Sequence, residues 1–147
     1  FGISIKYNQP FNPTQTVQTI YYRAPEVFLR SKYDYNLDIW SLGCVAYELF
    51  YQKPLFPYKN TAELFINQNI ILGHPDSLFI KKFSHIYEYY DNIVSPSYLI
   101  YHNKIYAFKL YNFLKIHKET KLIQFIIRCC EWDPSRRPYA NEIFFSI

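Results

Sequence analysis

The segment from Asn36 to Phe50 places the strongest constraint on the fold, because its apolar residues cover most of the circumference of a helix. Those residues are Leu37, Ile39, Trp40, Leu42, Val45, Ala46, Leu49 and Phe50. A helix that is apolar on nearly all sides has to be buried among other elements. Asp34 or Asn36 can cap its start. The segment therefore predicts a central helix that is enclosed by the rest of a larger core.

Other parts of the chain also predict helices. Apolar residues recur at the spacing i, i+3, i+4, i+7 and i+8, which marks one face of a helix, in Leu122, Phe125, Ile126, Cys129 and Cys130. A short helix is predicted to begin at Pro25, and a longer one to run from a cap at Thr61 to Gly73. A last helix is predicted from about Pro138 to Phe145. The first 20 residues predict an irregular loop, and no alternating strand pattern is evident, so the predicted fold class is mainly α.

Composition argues against several classes of protein. Half of the 147 residues are hydrophobic, which is incompatible with a disordered chain. No apolar run reaches the length of a membrane span, and the lysines behind the net charge of +4 are scattered, whereas a nucleic-acid site needs a cluster. The residues Cys44, Cys129 and Cys130 lack metal-ligand spacing and are expected to be reduced core thiols. We therefore expect an intracellular protein, cytoplasmic or nuclear, with no metal site and no membrane or nucleic-acid partner.

Three short motifs follow one another in an order that chance rarely produces. Residues 22–26 (YRAPE) contain the Ala-Pro-Glu that closes a kinase activation segment. Residues 38–44 (DIWSLGC) and 132–138 (WDPSRRP) resemble the start of the central helix and an element near the end of a kinase large lobe. The chain thus resembles the large, C-terminal lobe of a eukaryotic protein kinase. By this resemblance, residues 1–147 form one partial kinase domain, with an activation segment at 1–26 and a helical large lobe at 27–147.

Further residues in and around the motifs indicate a particular group of kinases. Residues 22–27 and 34–44 resemble the group that holds the cyclin-dependent, mitogen-activated, glycogen-synthase and Clk-type kinases, known as CMGC. Residues 54–57 (PLFP) and 130–134 (CEWDP) look most like its dual-specificity tyrosine-regulated branch, the DYRK-like kinases. The resemblance implies transfer of the γ-phosphoryl group of ATP to Ser or Thr of proteins, with dual specificity as an option.

The resemblance also implies that the domain is N-terminally truncated. Phe1 and Gly2 resemble the tail of an Asp-Phe-Gly motif whose Asp is missing. In kinases the glycine-rich loop, the small-lobe lysine and the His-Arg-Asp catalytic loop all come earlier in the chain. We therefore expect ATP and Mg²⁺ to be cofactors of the intact parent only, and this chain alone to be inactive. Its expected partners are protein substrates and the upstream segments of the same domain.

Four residues are expected to organise the lobe. By the resemblance, Glu26 and Arg137 form a buried ion pair that joins the activation segment to the end of the lobe. Trp40 is expected to be a buried structural residue of the central helix. Loss of one partner from such a pair strands a buried charge. Asp38 lies in the first turn of the central helix, where it either stabilises the helix dipole or, by the resemblance, accepts hydrogen bonds from the catalytic loop. Both roles can hold together.

Residues before the Ala-Pro-Glu motif are expected to serve catalysis and substrate binding. Thr19 stands where related kinases place a hydroxyl that supports the catalytic Asp. Gln18, Thr19 and Arg23 are expected to border the site for the residue after the phosphorylated one, and the counterpart of Arg23 is associated with a preference for proline there. Thr14 and Thr16 replace the Tyr-x-Tyr pair of the tyrosine-regulated branch. They are either regulatory phosphorylation sites or unmodified loop residues.

Two rival functions remain open on the sequence alone. One is a non-catalytic kinase-like module that binds proteins, and the other, resting on charge alone, is a nucleic-acid binder. The residues encoded before Phe1 would distinguish an active kinase from the module, since a kinase would have Asp directly before Phe1 and His-Arg-Asp further upstream. Residues 74–117 are aromatic without a clear period, which fits either a docking surface or a local core under a loop.

Overall fold

The computed structural model describes residues 17–82 and 120–143, and these ranges are helical with short connections. The helices are α1 Pro25–Phe28, α2 Asn36–Tyr51, α3 Thr61–Leu72, α4 Thr120–Cys129 and α5 Ala140–Ile143, with 3₁₀ turns at Ile20–Tyr22 and Pro134–Arg136. Residues 77–82 are also helical. No strand occurs in either range. The prediction of a mainly α fold is confirmed.

Helix α2 has well-defined ends. The N-cap position of α2 is Tyr35, whose side chain makes no capping bond. Just before it, the Asp34 carboxylate accepts a hydrogen bond of 2.8 Å from the backbone N–H of Asn36, so Asp34 and not the buried Asn36 supplies the side-chain acceptor at this end. At its end, Gln52 takes the left-handed conformation with φ 58°. That residue donates its N–H to the carbonyl of Glu48 at 2.8 Å. A left-handed residue is a common helix terminator.

The prediction that α2 is buried on nearly all sides is wrong for the described residues. Trp40, Cys44 and Tyr47 lie in the core, but the exposed residues include Leu42, Val45, Leu49 and Phe50. These four follow a helical repeat along the side of α2 that α3 and α4 leave uncovered. The composition of a helix shows how much of it can be buried, whereas the cover on each side depends on the other elements.

Helices α2 and α4 pack closely against each other, and this contact depends on a glycine. A methyl group placed on Gly43 would lie 2.7 Å from Cβ of Cys129 and 3.0 Å from Sγ of Cys130. Real side chains do not approach so closely, so only glycine lets the two helices reach this distance. The apolar stripe predicted on α4 faces this contact, with Ile126, Cys129 and Cys130 all buried.

Aromatic rings fill the core on the other side of α2. Trp40 is fully buried and stacks on Phe56 with ring centroids 5.8 Å apart. The ring centroid of Trp132 lies 6.5 Å from that of Trp40. It lies 6.3 Å from the centroid of Phe65, in an edge-on arrangement, and 5.6 Å from that of Phe79. Each such aromatic pair contributes about 0.5–1.5 kcal/mol beyond the area it buries. The burial of Phe79 assigns the start of the aromatic region after residue 74 to this core.

Two predicted helix starts need correction. The cap of α3 is Asn60, whose side-chain oxygen accepts a hydrogen bond from the N–H of Glu63 at 2.9 Å. A cap needs extended backbone, and Asn60 has it, whereas Thr61 is already helical. Gly73 ends α3 with a positive φ of 84°, as predicted. The last helix begins at Ala140 and not at Pro138.

Within the two described ranges, no helix combines the length and the apolar character that a membrane crossing requires.

Several predictions fall elsewhere in the chain. Phe1, Gly2, Thr14, Thr16 and the greater part of residues 74–117 lie outside the described residues, and so does the predicted end of the last helix at Phe145.

Candidate functional site

The loop before α1, residues 17–24, contains a residue in an uncommon conformation. Gln18 has a φ of 64°, a left-handed value that is unusual for a residue other than Gly, Asn or Asp. The carbonyl of Gln18 accepts a hydrogen bond of 2.9 Å from Nη2 of Arg23, and the carbonyl of Val17 accepts one of 3.2 Å from Nε of Arg23. One guanidinium group therefore holds two consecutive carbonyls of this loop.

The side chain of Gln18 is bonded at both ends of its amide. Its Nε2 donates to the carbonyl of Leu37 and to Oγ of Ser41, each at 2.7 Å. Its Oε1 accepts a hydrogen bond of 2.9 Å from the N–H of Ala24. The first two partners belong to α2, so this amide ties the loop to the central helix.

Further hydrogen bonds fix the rest of the loop between α2 and α3. Ser41 donates its hydroxyl to the carbonyl of Tyr22 at 2.9 Å, and Tyr22 donates its own hydroxyl to Oε2 of Glu48 at 2.7 Å. The hydrogen bond to Glu48, together with burial, raises the pKa of Tyr22 above its ordinary value. From α3, Nε2 of the fully buried Gln68 donates to the carbonyl of Arg23 at 3.2 Å.

Glu26 and Arg137 form the buried ion pair that the motifs predict. Nη1 and Nη2 of Arg137 donate to Oε1 and Oε2 of Glu26 at 2.6 and 2.7 Å, with both side chains at most 1% exposed. Such two-point pairing is the strongest geometry that an Arg–carboxylate pair adopts. The arginine also donates to the carbonyls of Asn36 at 3.0 Å, Glu131 at 2.9 Å and Trp132 at 3.3 Å.

The guanidinium of Arg137 also lies over the ring of Trp40, 5.1 Å from its centroid. A cation over an indole face gains electrostatic stabilisation, which increases when water is excluded. Glu26, Arg137 and Trp40 therefore form one buried unit that joins the end of the loop, the central helix and the 3₁₀ turn at Pro134–Arg136.

The comparison with known proteins identifies the family of the chain. The chain matches the family described as the protein kinase domain over residues 1–146. The chain belongs to the protein kinase domain family. The three motifs that carried the resemblance supply the loop, the central helix and the buried ion pair described above.

Similar kinases come from distant organisms. The chain is 32% identical to the serine/threonine-protein kinase ppk5 of Schizosaccharomyces pombe over 93% of this chain and 16% of that kinase. It is 35% identical to dual specificity tyrosine-phosphorylation-regulated kinase 4 of Homo sapiens over 86% of this chain and 25% of the relative. It is 32% identical to the DYRK-family kinase pom1 of Schizosaccharomyces pombe over 82% of this chain and 11% of that kinase.

These relatives confirm the predicted resemblance to the tyrosine-regulated branch of the CMGC kinases. The chain spans a quarter or less of the length of each of the three relatives.

Thr19, another predicted site residue, is part of the loop. Thr19 is exposed, and its side chain makes no capping hydrogen bond to the 3₁₀ turn that follows. Its carbonyl accepts the N–H of Tyr22 at 2.9 Å. Its role beside a catalytic aspartate stays a prediction.

Asp38 lies in the first turn of α2 on the exposed side. Partial burial raises the pKa of its carboxyl above the ordinary value. A carboxylate in the first helical turn interacts favourably with the helix dipole, and the exposed position also leaves room for donors from another segment. Neither predicted role of Asp38 is excluded.

The three cysteines are buried free thiols. Burial, followed by the neighbouring Cys130, raises the pKa of Cys129 to about 12. A hydrogen bond with Cys44, followed by burial, raises the pKa of Cys130. Cys129 and Cys130 are therefore protonated thiols at neutral pH. All three cysteines are buried, which confirms the prediction of core packing.

Sequence reasoning missed the residues that hold the loop in place. Ser41 and Glu48 are polar positions on a largely apolar helix, and that contrast was a usable signal. Gln68 lies on α3 among apolar residues and carried the same signal. The backbone carbonyls of Leu37 and Asn36 gave no sequence signal, because a backbone acceptor is available at every residue.

Proposed function

We propose that this chain belongs to a protein kinase that phosphorylates Ser or Thr and prefers a proline directly after the phosphorylated residue. Residues 1–26 would serve as the activation segment and residues 27–147 as the helical large lobe. In the parent, Thr19 would support the catalytic Asp, and Thr14 and Thr16 would be candidates for regulatory phosphorylation. The proposed substrates are proteins with exposed, extended segments.

One observation supports the proline preference most directly, namely the hydrogen bond from Arg23 to the carbonyl of Gln18. The left-handed conformation of Gln18 turns this carbonyl towards Arg23. The backbone N–H of a substrate residue docked there would therefore lose its water partner without gaining this acceptor. An unpaired N–H costs about 1–3 kcal/mol. Proline has no N–H to lose. The arrangement therefore discriminates in favour of proline by penalising the other residues.

Family membership implies ATP and Mg²⁺ in the intact kinase, and we propose that the described residues hold neither of them. The sequence has only three glycines, Gly2, Gly43 and Gly73, so it contains no glycine-rich phosphate loop. No group of three metal-ligating side chains comes together within residues 17–82 and 120–143. The proposed contribution of this chain is therefore on the side of the protein substrate, and we assign it no step in phosphoryl transfer.

We expect the full-length protein to phosphorylate a Ser-Pro peptide about tenfold faster, in kcat/KM, than the matched Ser-Ala peptide, which corresponds to about 1.4 kcal/mol. Replacing Arg23 by alanine frees the carbonyl of Gln18, so the ratio should fall towards one. Arg136→Ala is the control, because Arg136 is exposed and pairs with Asp76 away from the loop. A requirement for basic residues, combined with indifference to the following residue, would contradict the proposal.

The 147 residues by themselves are expected to transfer no phosphate and to bind hydrophobic dye. The first expectation follows from the missing phosphate loop, and the second from the exposed residues of α2, since contiguous apolar patches promote association. Purified residues 1–147 can be tested for Mg·ATP-dependent transfer, dye fluorescence and molecular size. Transfer activity would contradict the first expectation. A monomer that binds no dye would contradict the second and would favour a self-sufficient protein-binding module.

A further inference from the structure

Ser41 uses its hydroxyl group as donor and acceptor at the same time. It accepts a hydrogen bond of 2.7 Å from Nε2 of Gln18 and donates one of 2.9 Å to the carbonyl of Tyr22. A hydroxyl has one donor and two acceptor positions, so it can make both bonds together. A single atom of α2 thus joins two points of the loop that are four residues apart.

The use of this hydroxyl is unusual for a serine within a helix. Serine in the middle of a helix commonly bonds back to a carbonyl of the preceding turn. Ser41 instead donates to the carbonyl of Tyr22, 19 residues earlier in the chain. Its hydrogen bonds therefore hold the loop against the helix.

The left-handed conformation of Gln18 needs such support. A non-glycine residue at positive φ persists only when its surroundings hold it there. The side-chain amide of Gln18 provides the support through bonds to Leu37, Ser41 and Ala24. Ser41 is the one partner among these three that bonds through its side chain, so it is the one that a substitution can remove.

We infer that Ser41 is a positioning residue for substrate specificity, which acts through Gln18 to keep the carbonyl of Gln18 turned towards Arg23. The inference rests on the proposed function, because it assigns the proline preference of that same site to a residue on α2. Ser41 does not touch the substrate in this account. Without its hydroxyl, Gln18 relaxes towards ordinary backbone angles, its carbonyl becomes available to a substrate N–H, and residues other than proline are accepted.

The test compares kcat/KM for the Ser-Pro and Ser-Ala peptides in variants of the full-length protein. Ser41→Ala should lower the Pro/Ala ratio about fivefold, chiefly by raising activity on the Ser-Ala peptide. Ser41→Thr keeps the hydroxyl and should restore the ratio. Gln18→Met keeps the length of the side chain without its amide and should lower the ratio in the same way. Combining Ser41→Ala with Gln18→Met should lower the ratio no further than Gln18→Met alone, because the amide through which Ser41 acts is then already absent.

Ser135→Ala is the matched control, since the Ser135 hydroxyl bonds the Asp133 carboxylate at 2.8 Å outside the loop. It should leave the ratio unchanged. A Pro/Ala ratio unchanged in folded Ser41→Ala and Gln18→Met would overturn the inference while leaving the kinase activity standing. If Ser41→Ala fails to fold, Gln18→Met decides, because its side chain lies in the loop. A parent protein that phosphorylates neither peptide would refute the proposed function itself.

Discussion

Replacing Arg137 by alanine should lower the free energy of unfolding by about 3–5 kcal/mol, because the Glu26 carboxylate would remain buried without its counter-charge. Glu26 is only 1% exposed, so bulk water hydrates its carboxylate poorly. The carbonyls of Asn36, Glu131 and Trp132 would lose a donor at the same time. The penalty is therefore that of an unsatisfied buried cluster, which exceeds the cost of one lost ion pair.

The damage should begin at the loop that contains the site. Glu26 is the connection between residues 17–26 and the end of the lobe, so opening should be detected there first by hydrogen exchange or limited proteolysis. Arg136→Ala is a close control, since this neighbouring arginine is half exposed and pairs with Asp76 at the surface. Exposed ion pairs contribute little to stability, and denaturant unfolding should show almost no change.

Reversing the pair gives a second check on the same contact. Glu26→Arg combined with Arg137→Glu restores opposite charges and should recover part of the loss measured for Arg137→Ala. Full recovery is not expected, because the carbonyls around Arg137 would then face a carboxylate. If Arg137→Ala leaves both the melting temperature and the activity unchanged, the pair does not stabilise the lobe in the way described.

The elements that sequence reasoning predicted well are those with a strong local signal. The period of Leu122, Phe125 and Ile126 defined α4, and the extent of α2 followed from its apolar run and from Asp34. The contact between Glu26 and Arg137 spans 111 residues, and no local pattern predicts it. It was predicted because each partner lies in a recognisable motif. Family resemblance supplied long-range information that periodicity lacks.

The misses have physical reasons of their own. The conformation of Gln18 could not be predicted, because glutamine has no intrinsic preference for positive φ and its surroundings impose it. Those surroundings come from α2, which is distant in the sequence, and from the side chain of Arg23 in the same loop. The cap of α3 was misplaced by one residue, since Asn60 and Thr61 are both good caps and only the backbone angles distinguish them. The exposed side of α2 was missed because its apolar surface says nothing of what covers it.

Replacing Gly43 by alanine should lower the free energy of unfolding by about 1–3 kcal/mol, as overpacking of a core usually does. The expected sign is opposite to that of helix propensity, since alanine is normally favoured over glycine inside a helix by about 0.5–1 kcal/mol. Packing prevails here because the new methyl group would lie 2.7 Å from Cβ of Cys129. A Cβ atom is attached directly to the backbone of α4 and cannot rotate away, so the helices would have to separate.

A double-mutant cycle distinguishes this clash from a general loss of stability. Cys129→Gly removes the Cβ atom that the new methyl group would meet, and by itself it should destabilise α4. If the clash is the cause, Gly43→Ala with Cys129→Gly should be more stable than the sum of the two single effects predicts. Leu49→Ala provides a control on the same helix, since Leu49 is 72% exposed and its loss should change little. Additive effects in the cycle would mean that the clash with Cys129 is not the cause of the loss. A Gly43→Ala variant more stable than the unsubstituted protein would mean that the close contact at Gly43 is not needed for the fold.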